Sequence, residues 1–122
     1  MQLRNYWLAL GMVWVVAVVW LSLTPAPVDS GVDHGDKVGH LLAYAGLMWW
    51  WGQLDKHRMR VFVLFVALGA VMELLQGLTP TREPSLADML ANTVGAVLGW
   101  FVTHRWPHGL LALDAWWVRR RA

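Results

Sequence analysis

Asp36-Lys37-Val38-Gly39-His40-Leu41-Leu42-Ala43-Tyr44 runs directly into Ala45-Gly46-Leu47-Met48-Trp49-Trp50-Trp51, and the reading of this join decides the fold. Two charges, an imidazole and a phenol enter a run that is otherwise apolar. Charged groups at the mouth of a membrane-crossing helix are costly to desolvate, so their default reading is functional. The alternative, a soluble helix with one wet face, needs apolar residues spread at helical period. The chain has them in blocks instead.

The bulk composition agrees. Of 122 residues 57% are hydrophobic and 15% charged, with ten Trp and no Cys, and the mean hydropathy is +0.42. Soluble domains carry more charge than this, and the block pattern is that of an integral membrane protein. Without Cys there is neither a disulfide framework nor a thiolate metal site. The pI near 9.5 would suit nucleic acid, but most of the basic residues flank apolar segments. They are read as a topology signal, with no nucleic-acid partner expected.

Outward from the opening stretch, four spans are expected over about residues 6–23, 38–54, 61–78 and 86–103. The first competes with a signal peptide. Its length, its three Trp and the following Thr24-Pro25-Ala26-Pro27 favour an anchor. The second helix should begin near Asp36. Ser85 reads as an N-cap, with Asp88 three residues on as a variant capping box. The tail beyond His104 is too short and charged to span, and reads either as an interfacial helix or as a loose basic segment. With the N-terminus in the cytoplasm, eight Lys/Arg fall inside and only Lys37 and Arg82 outside. Both ends are therefore expected inside. Trp7, Trp49–Trp51, Trp100 and Trp106 would then form a belt at the inner interface.

The fold class that follows is all-α, a bundle of four transmembrane helices in a single domain. Its polar residues fall at one level. At about 1.5 Å per residue, His40 lies roughly 5 Å and Tyr44 roughly 10 Å deeper than Lys37. Glu73 lies roughly 7 Å below Leu78, with Gln76 shallower, and Asp88 and Asn92 lie roughly 5 and 10 Å below Ser85. Asp36, His40 and Tyr44 share a stripe at four-residue spacing. Asp88, Asn92, Gly95 and Gly99 share another, whose lower half is a GxxxG that lets helix backbones approach. Each residue has a plain structural reading: Asp88 as a cap, Asn92 as interhelical glue, Tyr44 as an anchor, His40 as a satisfied core histidine. Glu73 resists one, because a lone carboxylate at that depth needs a partner or a proton.

Asp36-Lys37-x-x-His40-x-x-x-Tyr44-x-x-Leu47, Glu73-x-x-Gln76, Arg82 and Asp88-x-x-x-Asn92-x-x-Gly95-x-x-x-Gly99 together resemble the VanZ-like family over about Trp14 to Val102. The resemblance implies a small four-helix protein of the bacterial cytoplasmic (inner) membrane. The family's founding member is associated with reduced susceptibility to the glycopeptide antibiotic teicoplanin. VanZ-like proteins are also similar to helical membrane enzymes thought to act on lipid head groups.

Three functions are expected to compete. The first is an enzyme, a hydrolase or transferase, acting on a lipid-linked head group or envelope precursor at the outer leaflet. His40 would be its base or nucleophile, Glu73 its acid/base partner, and Asp36 or Asp88 the orienting group. Lys37 and Arg82 would hold phosphate while Tyr44, Gln76 and Asn92 donate hydrogen bonds. The second is a non-catalytic protein that binds or shields an amphiphile, with membrane lipids as partners. The third is a structural partner in the envelope. No cofactor or metal is expected. A divalent ion on His40, Glu73 and Asp88 is a weaker variant, since only one His is at hand.

Overall fold

A computed structural model describes residues 2–23, 35–76, 78 and 86–121, and of residues 35–37 the backbone only. These residues form five helices: α1 (Arg4–Leu23), α2 (Gly35–Leu54), α3 (Arg58–Gln76), α4 (Leu86–Arg105) and α5 (Gly109–Arg121). The described residues contain no strand. The first four match the expected spans to within about a turn, and the tail is helical from Gly109. Arg82, the Ser85 cap and most of the Thr24–Gly35 connection lie outside the described residues.

Three helices, α1, α3 and α4, are long and apolar enough to cross a membrane. The fourth expected span, α2, does not meet that measure. At 20 residues α2 is as long as α1. It carries Asp36, Lys37, His40, Tyr44 and Gln53 among its apolar residues.

The surfaces show which solvent the bundle suits. Val13, Trp20, Val63, Leu74, Leu90 and Phe101 point outward with more than half of their surface exposed. Gly11, Gly69, Gly95, Ala96, Gly99 and Asn92 are buried between helices. Large apolar side chains thus face outward, while glycines and polar residues are buried at the helix contacts beside an apolar core. In lipid, packing favours small residues at helix contacts because apolar side chains gain nothing by leaving the hydrocarbon.

The most extensive contact is between α2 and α4, followed by α3 with α4. A Cβ on Gly95 would run into the Leu41 carbonyl, and one on Gly99 would come within 2.5 Å of the Ala45 carbonyl. Further along, a Cβ on Gly52 would come within 3.0 Å of the Thr103 side chain. Residue numbers rise together along this seam, so α2 and α4 run parallel. Gly69 meets Asn92 while Phe62 packs edge-on against Trp100 at 5.5 Å, so α3 runs antiparallel to α4. Gly11 sits under Trp50 and Trp51, and Gly46 under Trp14, so α1 runs antiparallel to α2. Direction therefore alternates along the chain. Arg4, Leu54, Arg58 and Arg105 share one end, and Leu23, Gly35, Gln76 and Leu86 the other. Tyr44, Leu47, Met48, Val61, Phe65 and Val18 fill the core between them.

The Trp residues at the Arg4 end differ from the expected lipid-facing belt. Trp7, Trp49, Trp50 and Trp51 are half-buried and act as staples. Trp50 donates to the Trp7 carbonyl at 3.0 Å, Trp51 to Gly11 at 3.3 Å and Trp49 to Trp106 at 3.2 Å. Trp50 also meets Trp7 and Trp14 edge-on at 5.9 Å each. A partly buried indole N–H needs an acceptor, and helix carbonyls are the ones within reach.

This end is closed by polar contacts that the sequence reading missed. The last carbonyls of α2 are capped by Arg58 to Gly52 at 3.1 Å and by Arg4 to Leu54 at 2.9 Å, meeting the orphaned acceptors of a helix C-terminus. The α5 helix is tied to α2 by the Leu110 N–H, which donates to Gln53 Oε1 at 2.8 Å. Asp114, buried on α5, then reaches the start of α1. It accepts from the Gln2 and Leu3 N–H groups at 3.2 and 2.9 Å and from Trp7 Nε1 at 2.8 Å. A carboxylate here satisfies orphan donors and complements the helix dipole. Burial on its own would push this carboxyl up, but the bonds from Trp7, Leu3 and Gln2 outweigh it and hold Asp114 below the ordinary carboxylate range.

Two outcomes follow. Gly95→Val should destabilise the bundle by about 1–3 kcal/mol through overpacking. Gly39→Ala, with nothing within 4 Å of the added methyl, should be neutral or gain up to about 1 kcal/mol from helix propensity. Thermal unfolding in detergent followed by circular dichroism distinguishes them, and equal effects would mean that the Gly95 seam is not close-packed. For Asp114 the depressed titration means docking of α5 is fully supported above the ordinary carboxylate pKa of about 4 and is lost as pH falls through the lowered value. Asp114→Asn should raise amide exchange in residues 2–7 and 109–121 at neutral pH. The wild type should show the same pattern only in strong acid.

Candidate functional site

Away from the basic end, polar side chains from α2, α3 and α4 are buried in otherwise apolar helices. Tyr44 is fully enclosed, and Glu73, Gln76 and Asn92 are 1%, 3% and 2% exposed. His40 and Asp88 are half-buried, one turn shallower than Tyr44 and Asn92 respectively. The side chains of Asp36, Lys37 and Arg82 lie outside the described residues.

The α2–α4 seam explains how two of these stripes come to face inward. Gly95 and Gly99 must face α2, and Asn92 and Asp88 continue the same side of α4 by one and two turns. On α2 the seam residues Leu41 and Ala45 immediately follow His40 and Tyr44, so those two flank the contact. The third stripe is set by Gly69 on α3, where an added Cβ would come within 3.0–3.5 Å of the Asn92 side chain. Glu73 and Gln76 follow Gly69 by one and two turns toward the same end.

Contacts inside this layer differ in kind. Gln76 Nε2 donates to the Ser22 carbonyl of α1 at 2.6 Å, so this amide, expected to bind substrate, also joins α3 to α1. Tyr44 lies within electrostatic reach of Glu73, linking α2 to α3. The Tyr44 hydroxyl and the Asn92 amide oxygen are buried without a hydrogen-bond partner among the described residues. Asp88, half-buried within the first turn of α4, is suited by position to the helix dipole as well as to the polar layer. Among the described residues no three His, Asp or Glu side chains converge in a way that could hold a metal ion, so the His40, Glu73 and Asp88 variant is not assembled there.

Sequence reasoning did not single out Ser22 or Thr103, both buried. Thr103 returns its hydroxyl to the Gly99 carbonyl at 2.6 Å and packs on Gly52. Its signal was a small polar residue four positions after a packing glycine. Ser22 contributes its main chain, which side-chain chemistry could not have revealed.

An all-helical bundle with lipid-type surfaces and a buried polar layer near one end defines a membrane protein with an internal polar site. The family model described as VanZ/LLP1 matches residues 8–107. The chain therefore belongs to the VanZ-like family. No curated protein and no solved structure shows a significant match to it.

Proposed function

We propose that this protein binds a lipid-linked head group in the polar layer and acts on it. The observation that carries the reading is the burial of hydrogen-bonding and ionisable side chains from three helices at one level. The Tyr44 hydroxyl and Asn92 oxygen there are still to be matched among the described residues. An unmet hydrogen bond in hydrocarbon costs several kcal/mol, more than simple helix packing requires. Phosphate and glycosyl oxygens at a head-group boundary would offer both acceptors and donors at this depth.

In this reading His40 serves as base or nucleophile, Glu73 as its acid/base partner and Asp88 or Asp36 as the orienting carboxylate. Lys37 and Arg82 neutralise phosphate, and Tyr44 and Asn92 position the substrate. The reaction is a hydrolysis or a group transfer on a phospholipid, a polyprenyl phosphate or a glycolipid. A second reading has a specific support of its own. Gln76 and Asn92 both contact neighbouring helices directly, which suits a structural partner of the envelope whose polar layer locks helix packing.

The same proposal fixes orientation. Every lysine and arginine side chain that the structure describes sits at the Arg4 end or on α5. That end would face the cytoplasm of a bacterial inner membrane, with the polar layer toward the outer leaflet and α2 crossing alongside α4. Single cysteines can be introduced cleanly because the chain has none. A cysteine at Ser30 should react with an impermeant maleimide in whole cells and one at His57 should not. The reverse pattern would place the site on the cytoplasmic side.

Activity is tested by lipid mass spectrometry of cells expressing wild type, His40→Ala or Glu73→Ala at matched levels. A lipid conversion lost in both variants, with unfolding midpoints unchanged, is the expected result. Identical profiles in all three would remove catalysis and leave the binding reading, and collapse of both variants would favour a structural role.

A further inference from the structure

The Arg4 end carries a cleft of about 560 Å³ that the polar layer does not use. Arg4, Lys56, His57 and Arg60 line it, together with Leu8 and Trp51 on the side toward the bundle. Only one carboxylate, Asp55, is present among its lining residues. Asp55 is already engaged, accepting from Arg60 at 2.7 Å and from the His57 N–H at 2.9 Å. The Arg60 bond comes first among the causes that hold its carboxyl below the usual range. Three permanent cations thus face one carboxylate that is committed within the turn between α2 and α3.

We propose that this cleft is a binding site for the phosphate of an anionic phospholipid in the leaflet at the Arg4 end. Arg4 spends one terminal nitrogen on the Leu54 carbonyl, and a guanidinium has five N–H donors, so others remain for phosphate oxygens. Lys56 is exposed and forms no ion pair with a described residue, which leaves its ammonium available as a point charge. The size lies within the range of small-ligand sites. Basic pockets between helices at a membrane surface recognise anionic head groups. What separates a lipid from a soluble phosphate is the lining itself. The cations stand at the helix ends, while Leu8 and Trp51 continue toward the apolar bundle, where an acyl chain would lie. This site needs only that the helices cross a bilayer, and it does not depend on what the polar layer at the other end does.

Purified protein in detergent, titrated with phosphatidylglycerol or phosphatidylcholine and read by native mass spectrometry, provides the test. Phosphatidylglycerol should bind more tightly than phosphatidylcholine. Lys56→Glu, a change at an exposed side chain, should weaken the anionic lipid about thirtyfold, at roughly 1 kcal/mol for each of the two charge units changed. Neutralising Arg119, Arg120 and Arg121 together to Gln, which removes more charge outside the cleft, should leave that affinity within about twofold. Equal binding of the two lipids overturns the proposal, as does a larger loss in the tail variant than in Lys56→Glu. Inorganic phosphate is the remaining arm. Failure to displace the lipid at millimolar concentration supports a lipid site, and full displacement assigns the cleft to a soluble anion and overturns it.

Discussion

The α2–α4 seam is the constraint on which the rest of the structure depends. Two carbonyls of α2, at Leu41 and Ala45, occupy the space where side chains at positions 95 and 99 would otherwise stand. Once the backbones are that close, the rotation of both helices about their axes is set. The polar residues one and two turns up α4 must then face inward, and those beside the seam on α2 must flank it. A dispersion contact between backbones therefore places ionisable groups that dispersion alone would never have gathered. In hydrocarbon, where large apolar residues gain little by burial, such close approach is the main available source of helix association.

The two ends of the bundle solve different problems. At the basic end the buried and half-buried polar groups are partnered: indoles on helix carbonyls, arginines on the C-terminus of α2, Asp114 on the N-terminus of α1. These contacts tie together segments that lie far apart in sequence, and they read as structure. At the other end the buried groups span three helices and include a hydroxyl and an amide oxygen unmatched among the described residues. Satisfied networks rigidify, while incompletely matched ones in a low dielectric are costly to keep without a purpose. The contrast between the ends is the physical ground for reading the second as functional.

Much of the architecture was legible because membrane helices advertise themselves. The apolar blocks gave helices to within about a turn, and the GxxxG at Gly95 and Gly99 marked the face that α4 turns inward. Tyr44, Glu73 and Asn92 could be grouped by depth alone, since rise per residue is fixed and direction must alternate. The basic end was less readable. Trp49 to Trp51 resemble a lipid-facing belt by composition, and only the neighbouring carbonyls show that they are interhelical donors. Asp114, in a tail of Trp and Arg, has no periodic or spacing signal, because its partners are main-chain N–H groups at the other end of the sequence. Main-chain partners leave no trace in residue type, and the partnership of Gln76 with Ser22 was hidden for the same reason.

The Asp114 contact also has a consequence in time. The carboxylate that completes the amino end of α1 lies 111 residues further along than the Leu3 N–H it accepts. During synthesis α1 is made before α5, so the Gln2 and Leu3 N–H groups lack this acceptor until α5 has emerged. Up to that point those donors must be served by water or lipid oxygens. Completion of the amino end of α1 thus waits for α5, while Arg4, Trp50 and Trp51 already join this helix to α2.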